Sequence, residues 1–70
     1  MNDYKERMKK EAKELGERID KLNNIINAYY QGSLDFELTC HIYLLENQLS
    51  AMRQYYRILC IRAKIEGVEL

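Results

Sequence analysis

The residues able to do chemistry are few. There is one histidine, His41, and there are two cysteines, Cys40 and Cys60. His41 beside Cys40 has no chelating spacing, and two thiols do not complete a zinc site. On one helix the two cysteines would stand about 30 Å apart at 1.5 Å per residue. They could not bridge within a chain, so they read as reduced structural thiols of a cytoplasmic protein. No Gly-rich phosphate loop, G-x-S-x-G or H-E-x-x-H string occurs, so neither an enzyme nor a metal or cofactor is expected. What remains is tyrosine and arginine. Planar rings stack on bases, and guanidiniums pair with phosphates. That is the chemistry of binding rather than turnover.

Composition limits the frame that could hold such residues. The chain has 70 residues, 47% hydrophobic and 31% charged, with no proline, three glycines and no net charge. One domain is the most that fits, and its core is marginal alone. The apolar content argues against disorder. A neutral balance argues against a nonspecific nucleic-acid or membrane-surface binder. No apolar stretch approaches the ~20 residues of a membrane span. The first residues, MNDYKERMKK, run into charge rather than an apolar core, so no signal peptide is expected.

Two helices follow from the spacing. Met8, Ala12, Leu15, Ile19, Leu22, Ile26 and Tyr29 alternate by four and three, a heptad seam on a helix expected over residues 3–31. Glu6 to Lys10, Glu14 to Arg18 and Glu17 to Lys21 are acid-first pairs four apart, the better orientation. Gln31-Gly32-Ser33 is the break. Gly32 suits the left-handed position after a helix. Ser33 can cap a second helix over 34–66, with Asp35 and Glu37 in its first turn. Its seam runs Leu38, Ile42, Leu45, Leu49, Met52, Tyr56, Leu59 and Ala63, and Gly67 ends it. A short loop, 31–33, makes the helices antiparallel. Seam residues then pair with numbers summing to 67 or 68, which sets small Ala12 against Tyr56. The fold expected is all-α: an antiparallel two-helix hairpin, coiled-coil-like. Leu44, Ile58, Ile61 and Ile65 lie off the seam. That patch points to a homo-oligomeric helical bundle.

The candidate site lies beside the seam. Tyr4, Glu11, Arg18 and Ile25 face Arg62, Tyr55, Gln48 and His41, in pairs summing to 66. This row can make hydrogen bonds between the helices, such as Arg18 to Gln48, Glu11 to Tyr55 and Tyr4 over Arg62. It can equally present rings and guanidiniums to a ligand. Charge is uneven as well, because residues 22–52 contain no Lys or Arg. The basic residues gather at the open end, where an anionic aromatic ligand would bind. Gly16 falls opposite Arg53, leaving room for close approach. The ligand-binding candidates are Tyr4, Arg7, Arg18, Gln48, Tyr55, Arg57 and Arg62.

The first helix reads Y4-x2-R7-x3-E11-x2-E14-L15-x2-R18-I19-x-K21-L22-x2-I25-I26, and the second contains Q48-L49-S50-A51-M52-x2-Y55-x2-I58-L59-x2-R62. Over residues 4–63 this resembles a family of small bacteriophage proteins described as related to a crAss-like phage gene product. It is also similar to the phage helical-hairpin proteins that counter CBASS and Thoeris defence. That second likeness implies a compact helical oligomer that sequesters a cyclic di- or trinucleotide, or a cyclic ADP-ribose isomer. The expected mechanism stacks Tyr4 and Tyr55 on bases while Arg7, Arg57 and Arg62 neutralise phosphates across a subunit interface. The alternative is a small interaction module that docks its apolar C-terminal helix face on a host or phage protein.

Overall fold

A computed structural model describes residues 3–70. Two helices, α1 (Asp3–Gln31) and α2 (Ile42–Glu66), pack antiparallel into a rod of 47 × 18 × 17 Å. The expected hairpin is therefore present. The seam residues Met8, Ala12, Leu15, Leu22 and Ile26 of α1 are buried, as are Ile42, Leu49, Leu59 and Ala63 of α2. They form two clusters bridged by half-buried Ile19 and Met52. Both helices end alike. Gly32 and Gly67 adopt φ of +72° and +71°. The following residues turn back, Ser33 N–H donating to the Ala28 carbonyl and Val68 N–H to that of Ala63. This double turn satisfies carbonyls that a helix end leaves open. Val68 thereby folds onto the core beside Ala63.

The second helix starts later than its sequence suggests. Residues 32–41 are non-helical, and α2 begins at Ile42 rather than 34. His41 is the cap instead of Ser33, its Nδ1 accepting from the Tyr43 N–H at 3.1 Å. Asp35 and Glu37 thus lie in the loop, outside any first turn.

The register explains the late start. Glu11 bonds Tyr55 on one flank, with residue numbers summing to 66. On the other flank Asn23 meets Arg53 and Tyr30 meets Glu46, summing to 76. Level residues therefore sum to about 71, midway between the flanks, which sets Ala12 beside Leu59 and Leu15 beside Tyr56. The pairs expected at 67 and 68 sit about 5 Å apart along the axis, at 1.5 Å per residue. They interlock diagonally. Reversing one helix reverses the order of its three- and four-residue steps. Equal steps then coincide only when the leading residue of one seam stands level with the trailing residue of the other. In this register Gln31 is level with Cys40, so a helix begun at 34 would project beyond α1 with nothing to cover it. Leu34, Phe36 and Leu38 alternate along the loop, and Leu38 packs on the lower cluster.

Tyr56 packs on the cluster that contains Ala12, and its ring also lies 3.5 Å from where a Gly16 Cβ would stand. Among the acid-first pairs, Arg18 to Glu14 is made at 3.7 Å, while Glu6 takes Lys9 at 3.9 Å.

Two outcomes follow. Gly16→Ala places a methyl at ordinary contact distance and removes a mid-helix glycine, so thermal melting is expected to show a gain of about 0.5–1 kcal/mol. Leu59 is 1% exposed, and Leu59→Ala is expected to cost about 2–5 kcal/mol in the same measurement.

Candidate functional site

The flank expected to carry a site is built from both helices. On α1, Arg7, Glu11, Glu14 and Arg18 project at three- and four-residue steps, so one side of the helix presents them together. With Lys10 they line a shallow recess of about 220 Å³. On α2, Gln48, Tyr55 and Arg62 follow at sevens and share a face. Tyr55 joins the helices by donating its hydroxyl to Glu11 Oε1. That bond raises the Tyr55 pKa, because the neutral phenol is the form Glu11 holds; desolvation adds to the rise and the nearby charge of Arg62 opposes it.

Of the three interhelical contacts the sequence suggests, Glu11 to Tyr55 is the one the structure makes. Arg18 turns to Glu14 within its own helix, at 3.7 Å. Gln48 turns to the sulfur of Met52, at 3.8 Å. Arg62 Nε lies 3.7 Å from Glu66 Oε2. These guanidiniums are held by half-exposed carboxylates one turn away, an arrangement worth little near water. A phosphate could take them over at small cost. Tyr4, at 40% exposure, and Tyr55, at 41%, keep much of their rings open to solvent.

Arg57 does not join this group. It stands two residues from Tyr55, about 200° round the helix, and within one chain it lies on the other flank. Gly16, Asp20, Arg53 and Tyr56 border a recess on that side, where Arg53 donates to Asn23 at 3.2 Å.

The sequence reading missed a recess of about 540 Å³ at the loop end. It is bordered by Tyr29, Phe36, Leu38 and His41 among others, and no Lys or Arg lines it. The alternation of Leu34, Phe36 and Leu38 was the available signal, because it marks extended chain rather than helix. Lacking a cation, this recess is poorly suited to an anion. Glu46 at the same end accepts from Tyr30 at 2.9 Å and so raises the Tyr30 pKa.

The second feature is the outer side of α2. Leu44, Ile58, Ile61 and Ile65 are 48–79% exposed on the chain alone. Among the described residues no three His, Cys, Asp or Glu side chains cluster as metal ligands. No described helix is long and apolar enough to cross a membrane.

A family model described as Sequestin matches residues 2–65. Comparison with curated proteins gave no match, and neither did comparison with solved structures.

The two tethered tyrosines give a pH signature. Their folded pKa values lie above the ordinary value near 10, so the bonds to Glu11 and Glu46 contribute stability in full below that pH. The contribution is lost as pH rises through the folded values. Phenolate titration is expected to show two late tyrosines, one vanishing in Tyr55→Phe and the other in Tyr30→Phe. Six tyrosines titrating together would contradict the two bonds.

Proposed function

The chain belongs to the Sequestin family, and we propose that it acts without turnover by sequestering a small anionic nucleotide signal. The family name speaks of sequestration; the flank supplies the chemistry for a ligand with rings and phosphates. Tyr4 and Tyr55 offer ring faces, and Arg7, Arg18 and Arg62 offer guanidiniums, those of Arg18 and Arg62 held only by weak ion pairs to Glu14 and Glu66. A sponge of this kind needs affinity and copy number rather than catalytic groups.

The observation that carries the reading is the recess of Arg7, Glu11, Glu14 and Arg18 beside the Tyr55 tether. At about 220 Å³ it is smaller than the ~300–1,000 Å³ usual for a ligand pocket. Self-association through Leu44, Ile58, Ile61 and Ile65 would enlarge it, with Arg57 remaining on the opposite flank. The class of ligand that fits is a cyclic di- or trinucleotide or a cyclic ADP-ribose isomer. The setting that fits is a phage accessory protein acting in the cytoplasm of an infected bacterium against a nucleotide-signalled defence.

A second reading has an observation of its own. Ile65 is 79% exposed and Ile58 and Ile61 about half exposed, so the same stripe could lie in a groove on a host or phage protein.

Native mass spectrometry against a panel of cyclic di- and trinucleotides and cyclic ADP-ribose isomers separates the two. Sequestration expects a bound nucleotide mass on an oligomer, weakened about tenfold or more by Tyr55→Ala or Arg62→Ala, a loss of ~1.4 kcal/mol or more, with the oligomer intact. A ligand-free protein that ignores the panel and instead captures a protein through Ile58, Ile61 and Ile65 would replace it with the second reading.

A further inference from the structure

The outer stripe of α2 runs Leu44, Asn47, Ala51, Gln54, Ile58, Ile61, Ile65. Every one is exposed and none is charged. The matching stripe of α1 is charged at Arg7, Lys10, Glu14, Glu17 and Lys21 and uncharged only beyond, at Asn24, Ala28 and Gln31. Only α2 therefore has a second face able to pack along its whole length without desolvating charge.

We propose that two copies join antiparallel along this α2 stripe, about a two-fold axis near Gln54 and Tyr55, and that their Gln48–Tyr55–Arg62 rows close into one shared ligand groove. The proposal rests on the sequestering reading for its ligand, but its geometry has three supports of its own.

The first is the stripe itself. With the axis near Gln54, Leu44 lies by Ile65 of the second copy, Ala51 by Ile58, and Asn47 by Ile61. A small residue thus meets a large one, and an apolar patch covers each end. The steps alternate by three and four, as in the seam within the hairpin, so the same interlocking geometry serves both.

Charge is the second. In a parallel pair Arg57, Arg62 and Lys64 would each meet their own copy, and like charges set together oppose association. Antiparallel packing instead sets Arg57 by Ser50, Arg62 by Gln48, and Lys64 by Tyr43, whose ring can accept a cation. The ends also agree. Residues 22–52 hold three acids and no Lys or Arg, so the rest of this neutral chain carries three net positive charges. Antiparallel copies place the acidic loop end of one against the basic open end of the other.

The third is curvature. At 100° per residue the stripe centre lies about 160° from the hairpin seam measured across the Gln48–Tyr55–Arg62 row, and about 200° the other way. A row of four helices ordered α1, α2, α2, α1 therefore bends toward that row and makes it concave. The two Tyr55 rings, each tethered to its own Glu11, flank the axis at the floor of the groove, with Arg62 and Arg18 repeated beyond them. A ligand straddling the axis is bound once per dimer, by rings at its centre and guanidiniums at both ends. Neither chain alone has this site.

The test uses the full chain with Cys40→Ser and Cys60→Ser, adding either Gln54→Cys or Asn47→Cys, treated with a short bismaleimide. Both added positions are exposed in the hairpin and lie in the same row. The antiparallel register expects Gln54→Cys to run as a covalent dimer on a denaturing gel. It expects Asn47→Cys not to, its two copies being about 22 Å apart along the axis. Linking at both positions would mean a parallel pair and overturn the proposal. Linking at neither would overturn it too, whether the protein is an oligomer through another face or a monomer. With the expected pattern in hand, the nucleotide panel should show one ligand per dimer. Two per dimer would overturn the shared groove. No ligand at all would leave the dimer standing and remove the sequestering reading.

Discussion

The constraint on which this protein turns is that α2 has two uncharged faces and α1 can cover one. The hairpin seam takes the face of Ile42, Leu49, Leu59 and Ala63, all buried. The stripe from Leu44 to Ile65 stays open, with Ile65 at 79% exposure. Among the described residues no third element covers it. On the proposed reading a second copy does so. The consequences then reach the site, because the row between the two seams is the one that carries Gln48, Tyr55 and Arg62. On that reading one helix would supply part of the fold, the contact between copies and half the ligand chemistry from adjacent sectors of its surface.

Much of the fold was legible because heptad spacing reports directly on burial. The seam of α1 was readable from Met8 to Ile26, though Tyr29, expected to continue it, is 43% exposed, and Gly32 and Gly67 marked both helix ends. The start of α2 was not legible. Ser33, Asp35 and Glu37 form a plausible helix entry, and local propensity gives no reason to reject it. What excludes it is the register between helices, with level residues summing to about 71. That register leaves residues before 40 without a partner on α1. It arises from the reversal of the three- and four-residue steps, a property of the pair that neither segment carries alone. The same shift brings Gly16 under the ring of Tyr56 as well.

The site was legible as a row and not as a set of bonds. Residues at sevens must share a face, so Tyr55 with Arg62 and Glu11 with Arg18 were secure. Which exposed side chain holds which was open, because surface ion pairs differ by little energy. Arg18 thus chose Glu14, and Gln48 chose Met52. Glu11 to Tyr55 is the exception, being the contact of this row that spans both helices. Arg57 shows the limit of reading by end rather than by face: it belongs to the basic end, yet the helical turn carries it to the opposite flank.

Sedimentation equilibrium of the unmodified chain across the micromolar range tests the central claim most directly, because everything beyond the hairpin depends on the open α2 face being covered by another copy. The account expects a mass of at least twice 8.4 kDa for the native chain, falling to the single-chain mass when Ile61→Glu puts a charge in the stripe. A native chain that stays at 8.4 kDa throughout that range would contradict it.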